Sequence, residues 1–306
     1  MEHDRVTEQA QRPLVFGEVL YDRFPDGSTV LGGAPFNVAW HLQGFGLAPT
    51  FISRVGDDEL GERIIATMTA WGMDTLGIQK DETHPTGRVV VSIHNNEPSF
   101  EIVSEQAYDF IDAALVEKLL REEHYGLAYH GSLIARNPPA RTALDALRLA
   151  NFPLFVDVNL RRPWWQQEWL DDALRQARWA KVNEHELRIL SKQVDIPDFN
   201  IKVGAEELRR VCDLEMLVVT QGAAGALILS NDLLIETAPG DVGEIVDTVG
   251  AGDAFSAVTI VGLLRKWPLE VLARRAVDFA AAVCRMRGAT ASDRDLYRNC
   301  LRKWAE

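Results

Sequence analysis

One pattern limits the fold of this chain more than any other: short apolar runs alternate with longer amphipathic segments along most of its length. The runs that predict strands lie at 14–16, 51–55, 126–130, 153–158, 179–182, 216–220 and 225–229. The segments that predict helices lie at 34–45, 60–71, 112–123, 138–150, 184–191, 250–265 and 269–285. Strands separated by helices pair in parallel through right-handed crossovers. The sequence therefore predicts an α/β fold with a doubly wound, mostly parallel sheet flanked by helices.

Residues 87–103 depart from this alternation. Apolar and polar residues alternate there on both sides of a turn at 95–98, which predicts an antiparallel β-hairpin. Such a hairpin would project from a parallel sheet as a small β lid, and it is also a candidate contact for a homodimer. We assign the lid to about 22–31 and 86–105, and expect one of its strands to be reduced because 23–31 carry little strand pattern. Residues 1–12 are expected to form a frayed tail and 13–306 a single domain.

Composition and charge exclude several classes of protein. Apolar residues make up 47% of the 306 residues and charged residues 25%, as is typical of a globular chain with a substantial core. The net charge of -13 disfavours nucleic acid and membrane surfaces as partners. No apolar run reaches the length of a membrane span, and residues 1–12 lack the apolar stretch of a signal peptide. With three cysteines that lack metal-ligand spacing, we expect a cytoplasmic protein.

The segment 247–255, with sequence DTVGAGDAF, carries the strongest chemical signal. A strand-like run at 244–246 leads into it and an apolar helix follows it. Its glycines allow close approach to a ligand, and the free N–H groups of the helix start favour an anion. Asp253 lies in that first turn, where its carboxylate could accept the proton of an attacking hydroxyl. The alternative is an ordinary glycine-rich turn with a capping aspartate.

Two stretches near the N-terminus offer polar groups after a predicted strand. Gly33 precedes a helix start, and Asn37 adds both a donor and an acceptor. Asp22 lies five residues after Gly17, and a carboxylate can accept hydrogen bonds from two neighbouring hydroxyl groups. A surface asparagine and a loop aspartate are the alternatives.

Asn183 and Glu186 follow another predicted strand, although a lone Asn-x-x-Glu has little specificity.

These motifs together resemble the ribokinase-like, or PfkB-type, carbohydrate kinases. The segment 247–255 resembles the family's C-terminal signature, 32–39 its N-terminal signature, and 17–22 the end of its first strand in fructokinases. The order of the motifs along the chain also matches. The resemblance implies an anion hole at Gly250, Ala251 and Gly252, with Asp253 as the catalytic base. It also implies sugar contacts from Asp22, Gly33, Asn37 and, where the lid returns, Tyr108.

Three further stretches carry the rest of the resemblance. The segment 157–161 resembles a fructokinase strand end, in which Arg161 contacts the substrate and neutralises phosphate. Asn183 and Glu186 match the family positions that hold hydrated Mg²⁺ and the ATP phosphates. The segment 220–225 resembles the turn under the nucleotide, and the implied nucleotide contacts are Thr220, Gly222, Gly225 and Gly252. A plain hairpin turn is the alternative there. Asp247 is the implied ligand of a monovalent cation such as K⁺.

The function expected from the resemblance is an ATP-dependent sugar kinase that uses Mg²⁺ and phosphorylates a monosaccharide, with fructose as the favoured substrate. One alternative is a kinase for 2-keto-3-deoxygluconate or another sugar acid, whose carboxylate would need a basic contact such as Arg88. An alternative of another class is a non-catalytic sugar or nucleotide sensor on the same fold. The retained Asp253 argues against a sensor, because a binding protein has no need of a base in the anion hole.

Overall fold

The computed structural model describes residues 12–94, 97–192, 198–241 and 243–305. Its larger sheet has nine strands in the order β13-β12-β11-β10-β9-β8-β1-β4-β5. These strands are β1 (Pro13–Phe16), β4 (Thr50–Gly56), β5 (Ile78–Asp81), β8 (Leu127–Gly131), β9 (Leu154–Asp157), β10 (Trp179–Asn183), β11 (Met216–Thr220), β12 (Ala226–Ser230) and β13 (Leu234–Thr237). Only the two edge pairs, β11–β12 and β12–β13, are antiparallel.

Helices cover both faces of this sheet. They are α1 (Ala34–Gly44), α2 (Glu59–Trp71), α3 (Ala113–Glu122), α4 (Pro138–Leu149), α5 (Gln167–Gln176), α6 (Glu184–Leu190), α7 (Ile201–Val211), α8 (Ala251–Leu264), α9 (Leu269–Val283) and α10 (Arg294–Ala305). Along β1, Val15 packs into one apolar cluster, whereas Leu14 and Phe16 pack into another, because successive strand residues point to opposite faces. This arrangement confirms the predicted doubly wound, mostly parallel sheet.

A smaller four-stranded sheet forms the lid, in the order β3-β2-β6-β7. Its strands are β2 (Leu20–Arg23), β3 (Thr29–Gly32), β6 (Gly87–His94) and β7 (Glu97–Ile102). β6 and β7 pair as the predicted antiparallel hairpin. The expectation of a reduced strand at 23–31 is wrong, because β2 and β3 are both formed and pair antiparallel with each other. Residues 1–11, most of the expected tail, lie outside the described residues, as do residues 95–96 of the predicted turn.

The predicted strand at 244–246 is also wrong. No strand is formed there, and the N–H groups of Val246 and Asp247 instead donate to the carbonyl of Cys284, just past the end of α9, at 2.9 and 3.2 Å. Ile245 and Val246 are 55% and 56% exposed, so the apolar run does not mark a buried element. The sequence prediction also missed α5, α7, α10 and the edge strands β5 and β13.

The chain leaves β1 for β4 on one side of the sheet, and later returns to β8 on the other side. Such a reversal opens a crevice at the carboxyl ends of the strands, where ligands bind in open α/β sheets. Segments 17–22, 157–161 and 181–183, together with the start of the turn at 220–225, lie at the carboxyl ends of β1, β9, β10 and β11. No helix among the described residues is long and apolar enough to span a membrane.

Candidate active site

The start of α8 forms a concave donor site. Gly250 caps the helix with a left-handed φ of 80°, and a β carbon there would lie 2.4 Å from Ala289 Cβ, so the position requires glycine. The Ala251 N–H already donates to Thr248 O at 3.3 Å. No described acceptor takes the N–H of Gly252 or Asp253, so these two groups remain available for an anion.

Asn37 and Asp253 meet directly, although 216 residues separate them. The Asn37 Nδ2 group donates to Asp253 Oδ2 at 2.7 Å, and Asn37 is 5% exposed. The bond joins the first turns of α1 and α8. Gly33 caps α1 with φ 108°, and a β carbon there would lie 2.6 Å from the carbonyl oxygen of Glu18. The backbone after β1 therefore packs closely under the start of α1.

The environment of Asp253 alters its proton affinity. Burial raises the pKa of Asp253 to about 6, since a charged carboxylate loses hydration there. The negative charge of Asp157 acts in the same direction, whereas Asn37, Lys181 and Arg161 oppose the rise. A carboxylate with a pKa near 6 is mostly ionised at neutral pH and still basic enough to take a hydroxyl proton.

Asp22 and Arg161 lie close enough for their charges to interact. Burial raises the pKa of Asp22, and the positive charge of Arg161 partly opposes this. Arg161 acts in the same sense on Glu18, whose pKa burial raises to about 7. Glu18 is 4% exposed, and its Oε2 has no hydrogen-bond partner among the described residues. The crevice therefore combines carboxyl acceptors with a basic group, as suits a polyhydroxyl ligand.

Tyr108 is fully buried at the point where the lid returns. Its ring lies against Gly87, where a β carbon would approach Tyr108 Cε1 to 2.8 Å, and the guanidinium of Arg136 stands 5.1 Å from the ring centroid. Arg136 is held by Asp109 at 2.6 Å and donates to the carbonyl of Val103. Tyr108 thus forms part of the wall beneath the lid, and its predicted contact with the sugar stays a prediction.

A second crevice, of about 400 Å³, adjoins the carboxyl ends of β10 and β11. It is lined by Asn183, Glu184, His185, Arg188, Thr220, Gln221 and Gly222. Asn183 and Thr220 are partners in the register of the two strands. Gly222 has φ 55° with open space around it, whereas a β carbon on Gly225 would lie 2.0 Å from Thr237 O. Gly225 is therefore required by the β12–β13 packing, while Gly222 leaves the crevice open.

Asn183 and Glu186 form a reciprocal cap on α6. Asn183 Oδ1 accepts from the Glu186 N–H at 2.9 Å, and Glu186 Oε2 accepts from the Asn183 N–H at 2.8 Å. Glu186 Oε1 also accepts from the Leu160 N–H at 2.7 Å. Both carboxylate oxygens thus have backbone donors, and their remaining lone pairs suit contacts to the water shell of Mg²⁺. The described residues contain no group of three or more His, Cys, Asp or Glu that could hold a metal ion.

Asp247 connects two loops behind the anion hole. Its Oδ1 accepts from the Val249 N–H and its Oδ2 from the Gly288 N–H, both at 3.0 Å. The remaining lone pairs of this carboxylate are oxygen donors of a kind that a monovalent cation such as K⁺ can take. The donor set therefore fits the monovalent cation that the resemblance implies.

Sequence reasoning did not single out Asp157 and Lys181. The Lys181 Nζ group donates to Asp157 Oδ1 at 2.7 Å, and the two side chains are 7% and 1% exposed. Both residues lie within motifs that the sequence does contain, next to Asn159 and Asn183. Their pairing depends on the register of β9 and β10, which the sequence alone does not specify.

Comparison with known proteins identifies the family. The model of the pfkB family carbohydrate kinases matches residues 4–296. The chain belongs to this family. It is therefore an ATP-dependent sugar kinase. An uncharacterized sugar kinase of Pyrococcus horikoshii is 30% identical over 285 residues, which is 90% of this chain and 85% of the relative. A fructokinase of Escherichia coli is 31% identical over 268 residues, covering 81% of this kinase and 83% of the relative.

Solved structures share the fold of this kinase. The crystal structure of the Pyrococcus horikoshii sugar kinase superposes with a TM-score of 0.78 at 28% identity, over 94% of this chain and 99% of that one. A fructokinase of Xylella fastidiosa superposes with a TM-score of 0.81 at 19% identity, over 97% and 100% of the two chains. The kinase therefore has the ribokinase-like fold with its small β lid.

Proposed function

We propose that this kinase transfers the γ-phosphoryl group of ATP to a hydroxyl of fructose, with Asp253 as the base. The observation that carries the proposal is the bond between Asn37 and Asp253 at the start of α8. It joins a group suited to hold a sugar hydroxyl with a carboxylate suited to deprotonate one. Fructose is favoured by the fructokinase-like segments 17–22, 32–37 and 157–161, and by the fructokinases among the relatives.

In this mechanism the sugar lies beneath the lid. Asp22 and Asn37 bind its hydroxyls, and the Gly33 backbone passes under the ring. Asp253 accepts the proton as the hydroxyl oxygen attacks the γ-phosphorus, and the bond from that phosphorus to the ADP oxygen breaks. The N–H groups of Gly252 and Asp253 stabilise the charge on the transferring group.

The nucleotide is proposed to lie along the carboxyl ends of β10 and β11. Thr220 and Gly222 would line its phosphates and Arg161 would neutralise charge near the reacting centre. The related Pyrococcus horikoshii kinase, 26% identical over 94% of this chain with a TM-score of 0.75, has been crystallised with ATP. Mg²⁺, held through water by Asn183 and Glu186, would neutralise phosphate charge when bound.

The proposed function is tested with purified protein, Mg²⁺ and ATP against a panel of sugars, read by ADP release. We expect fructose to give the highest kcat/KM, and Asp253→Asn to lower kcat by at least about a hundredfold while leaving ATP binding intact. A preference for a sugar acid would overturn the fructose assignment. Arg88, the basic contact expected for that alternative, lies near enough to Asp58 for its positive charge to help lower the pKa of that carboxyl. Activity of the Asp253→Asn enzyme within about tenfold of wild type would overturn the role of the base.

We also propose that K⁺ activates the kinase at Asp247. The rate should rise when K⁺ replaces a bulky organic cation at the same ionic strength, because the ion would order both loops behind the anion hole. Asp247→Ala should remove most of that difference. Equal rates of the wild-type enzyme in the two salts would contradict a cation site.

A further inference from the structure

A buried ion pair lies directly beneath the candidate anion hole. Asp157 ends β9 and Lys181 lies in β10, and the two are register partners in these parallel strands. The Lys181 Nζ group donates to Asp157 Oδ1 at 2.7 Å. A β carbon added to Gly252 would lie 3.8 Å from Lys181 Nζ. The Lys181 cation therefore lies beside Gly252, whose N–H group belongs to the anion hole.

The pair is also bonded to the helix that carries the base. Asp157 Oδ2 accepts from Ser256 Oγ at 2.8 Å and lies 3.2 Å from the Tyr129 hydroxyl. Ser256 belongs to α8, one turn beyond Gly252, and its Oγ also lies 3.1 Å from Gly252 O. Three donors, one each from β8, β10 and α8, thus hold Asp157 in place and tie the first turn of α8 to the sheet.

A gain in folding stability is a weak explanation for two charged side chains at this buried position. Removing two ions from water carries a large desolvation cost, and well-packed apolar residues often replace a buried ion pair without loss of stability. The two residues act in opposite directions on the protonation of Asp253, because the charge of Asp157 disfavours the ionised form of Asp253 and the charge of Lys181 favours it. We propose that Asp157 and Lys181 are positioning residues that hold the first turn of α8 and balance the charge around Asp253. This inference rests on the proposed role of Asp253 as base.

The charged and titratable groups facing Asp253 come from several elements. They are Glu18 after β1, Tyr129 on β8, Asp157 and Arg161 at and after the end of β9, and Lys181 on β10. Burial raises the pKa of Asp253 to about 6, and catalysis needs the ionised form that exists above this value. Activity should therefore fall as the pH drops through about 6. Removing Asp157 should therefore lower that pKa, and removing Lys181 should raise it.

The test is the pH profile of kcat/KM for whichever sugar the wild-type enzyme phosphorylates best. Asp157→Asn should move the acid limb to lower pH, and Lys181→Met should move it to higher pH, each by roughly half a unit or more. Lys181→Arg, which keeps the charge, should leave the limb near its wild-type position. The Asp157→Asn, Lys181→Met double variant should return towards the wild-type profile. Lys202→Met, which breaks the exposed Lys202–Glu236 pair, is the control and should leave the acid limb of the profile at its wild-type pH.

Opposite movements of the limb in the two single variants would support the proposal. A limb that stays in place in both variants, whatever happens to kcat or Tm, would overturn it and leave only a scaffold role. If Lys181→Met does not fold, Lys181→Gln removes the same charge while retaining a donor for Asp157. Full activity of Asp253→Asn is a separate result, because it would instead reject the base on which the inference rests.

Discussion

At the scale of single residues, the site depends on carboxylates whose surroundings differ. Asp253 accepts a hydrogen bond from the side-chain amide of Asn37, whereas Asp22 is influenced by the positive charge of Arg161. Asp157 is satisfied by three donors within the protein, so it is not available to a substrate. Similar carboxylates on different elements of the site therefore have different tasks, which follow from the partners that each one has.

Asp22→Asn should raise the KM for the sugar by roughly ten- to a hundredfold, because a hydrogen bond to a charged acceptor contributes about 1.5–3 kcal/mol. The KM for ATP should hardly change, since Asp22 lies on the lid side of the crevice. Steady-state kinetics with each substrate varied in turn measures both values. Asp26→Asn is the control, because Asp26 is exposed and, in the described part of the chain, its carboxylate bonds to Ser28 within its own turn. Equal effects on the two KM values would show that Asp22 has no specific role in binding the sugar.

At the scale of elements, the lid is fastened where β6 leaves the main body. Asp58 caps α2, and its carboxylate accepts from the Thr86 hydroxyl at 2.6 Å, the Thr86 N–H at 2.9 Å and the Gly61 N–H at 2.9 Å. Thr86 immediately precedes β6 and is fully buried. Burial acts to raise the pKa of Asp58, but these hydrogen bonds outweigh it, and the pKa is lowered.

Thr86→Val should reduce the free energy of unfolding by about 1.5–3 kcal/mol, because it removes a donor from a charged, partly buried acceptor. Thermal or denaturant unfolding measures the loss. The pKa of Asp58 is lower in the folded protein than in the unfolded chain, where it is about 4, so its ionised carboxylate stabilises the fold above about pH 4. This stabilisation is lost as the pH falls from there through the lowered pKa of the folded protein. The variant should therefore lose less stability on acidification than wild type.

Thr69→Val is the matched control for this prediction, since the Thr69 hydroxyl donates to Ile65 O on the exposed side of α2. It should stay within about 0.5 kcal/mol of wild type. Equal losses of unfolding free energy in both variants would show that the hydrogen bond to Asp58 does not contribute more to stability than an exposed one.

At the scale of the whole molecule, the lid carries apolar side chains that the single chain does not cover. Val90 on β6 is 41% exposed and Phe100 on β7 is 56% exposed. Val30, on the other outer strand of the lid, is 44% exposed. The position of these side chains on a projecting sheet is consistent with the homodimer contact that we predict.

We expect the kinase to be a dimer, with Phe100→Glu shifting it to a monomer, because a charge would be buried in the contact. Sedimentation or light scattering gives the mass of each form. Leu149→Glu is the control, since Leu149 is 84% exposed at the end of α4 and should leave the mass unchanged. A wild-type monomer at micromolar concentration would contradict the dimer but not the lid.

The sequence alone determined the alternation of strands and helices, the hairpin and the order of the motifs, because periodicity and glycine placement are local properties. Prediction from the sequence failed at 244–246, where an apolar run forms no strand and backbone N–H groups instead donate to the carbonyl of Cys284. It also failed for the short edge strands β5 and β13, which carry little strand pattern. Only the tertiary structure joined Asn37 to Asp253 and Asp157 to Lys181. Those pairings depend on strand register and on the crossing of distant helices, which long-range packing fixes and no local pattern encodes.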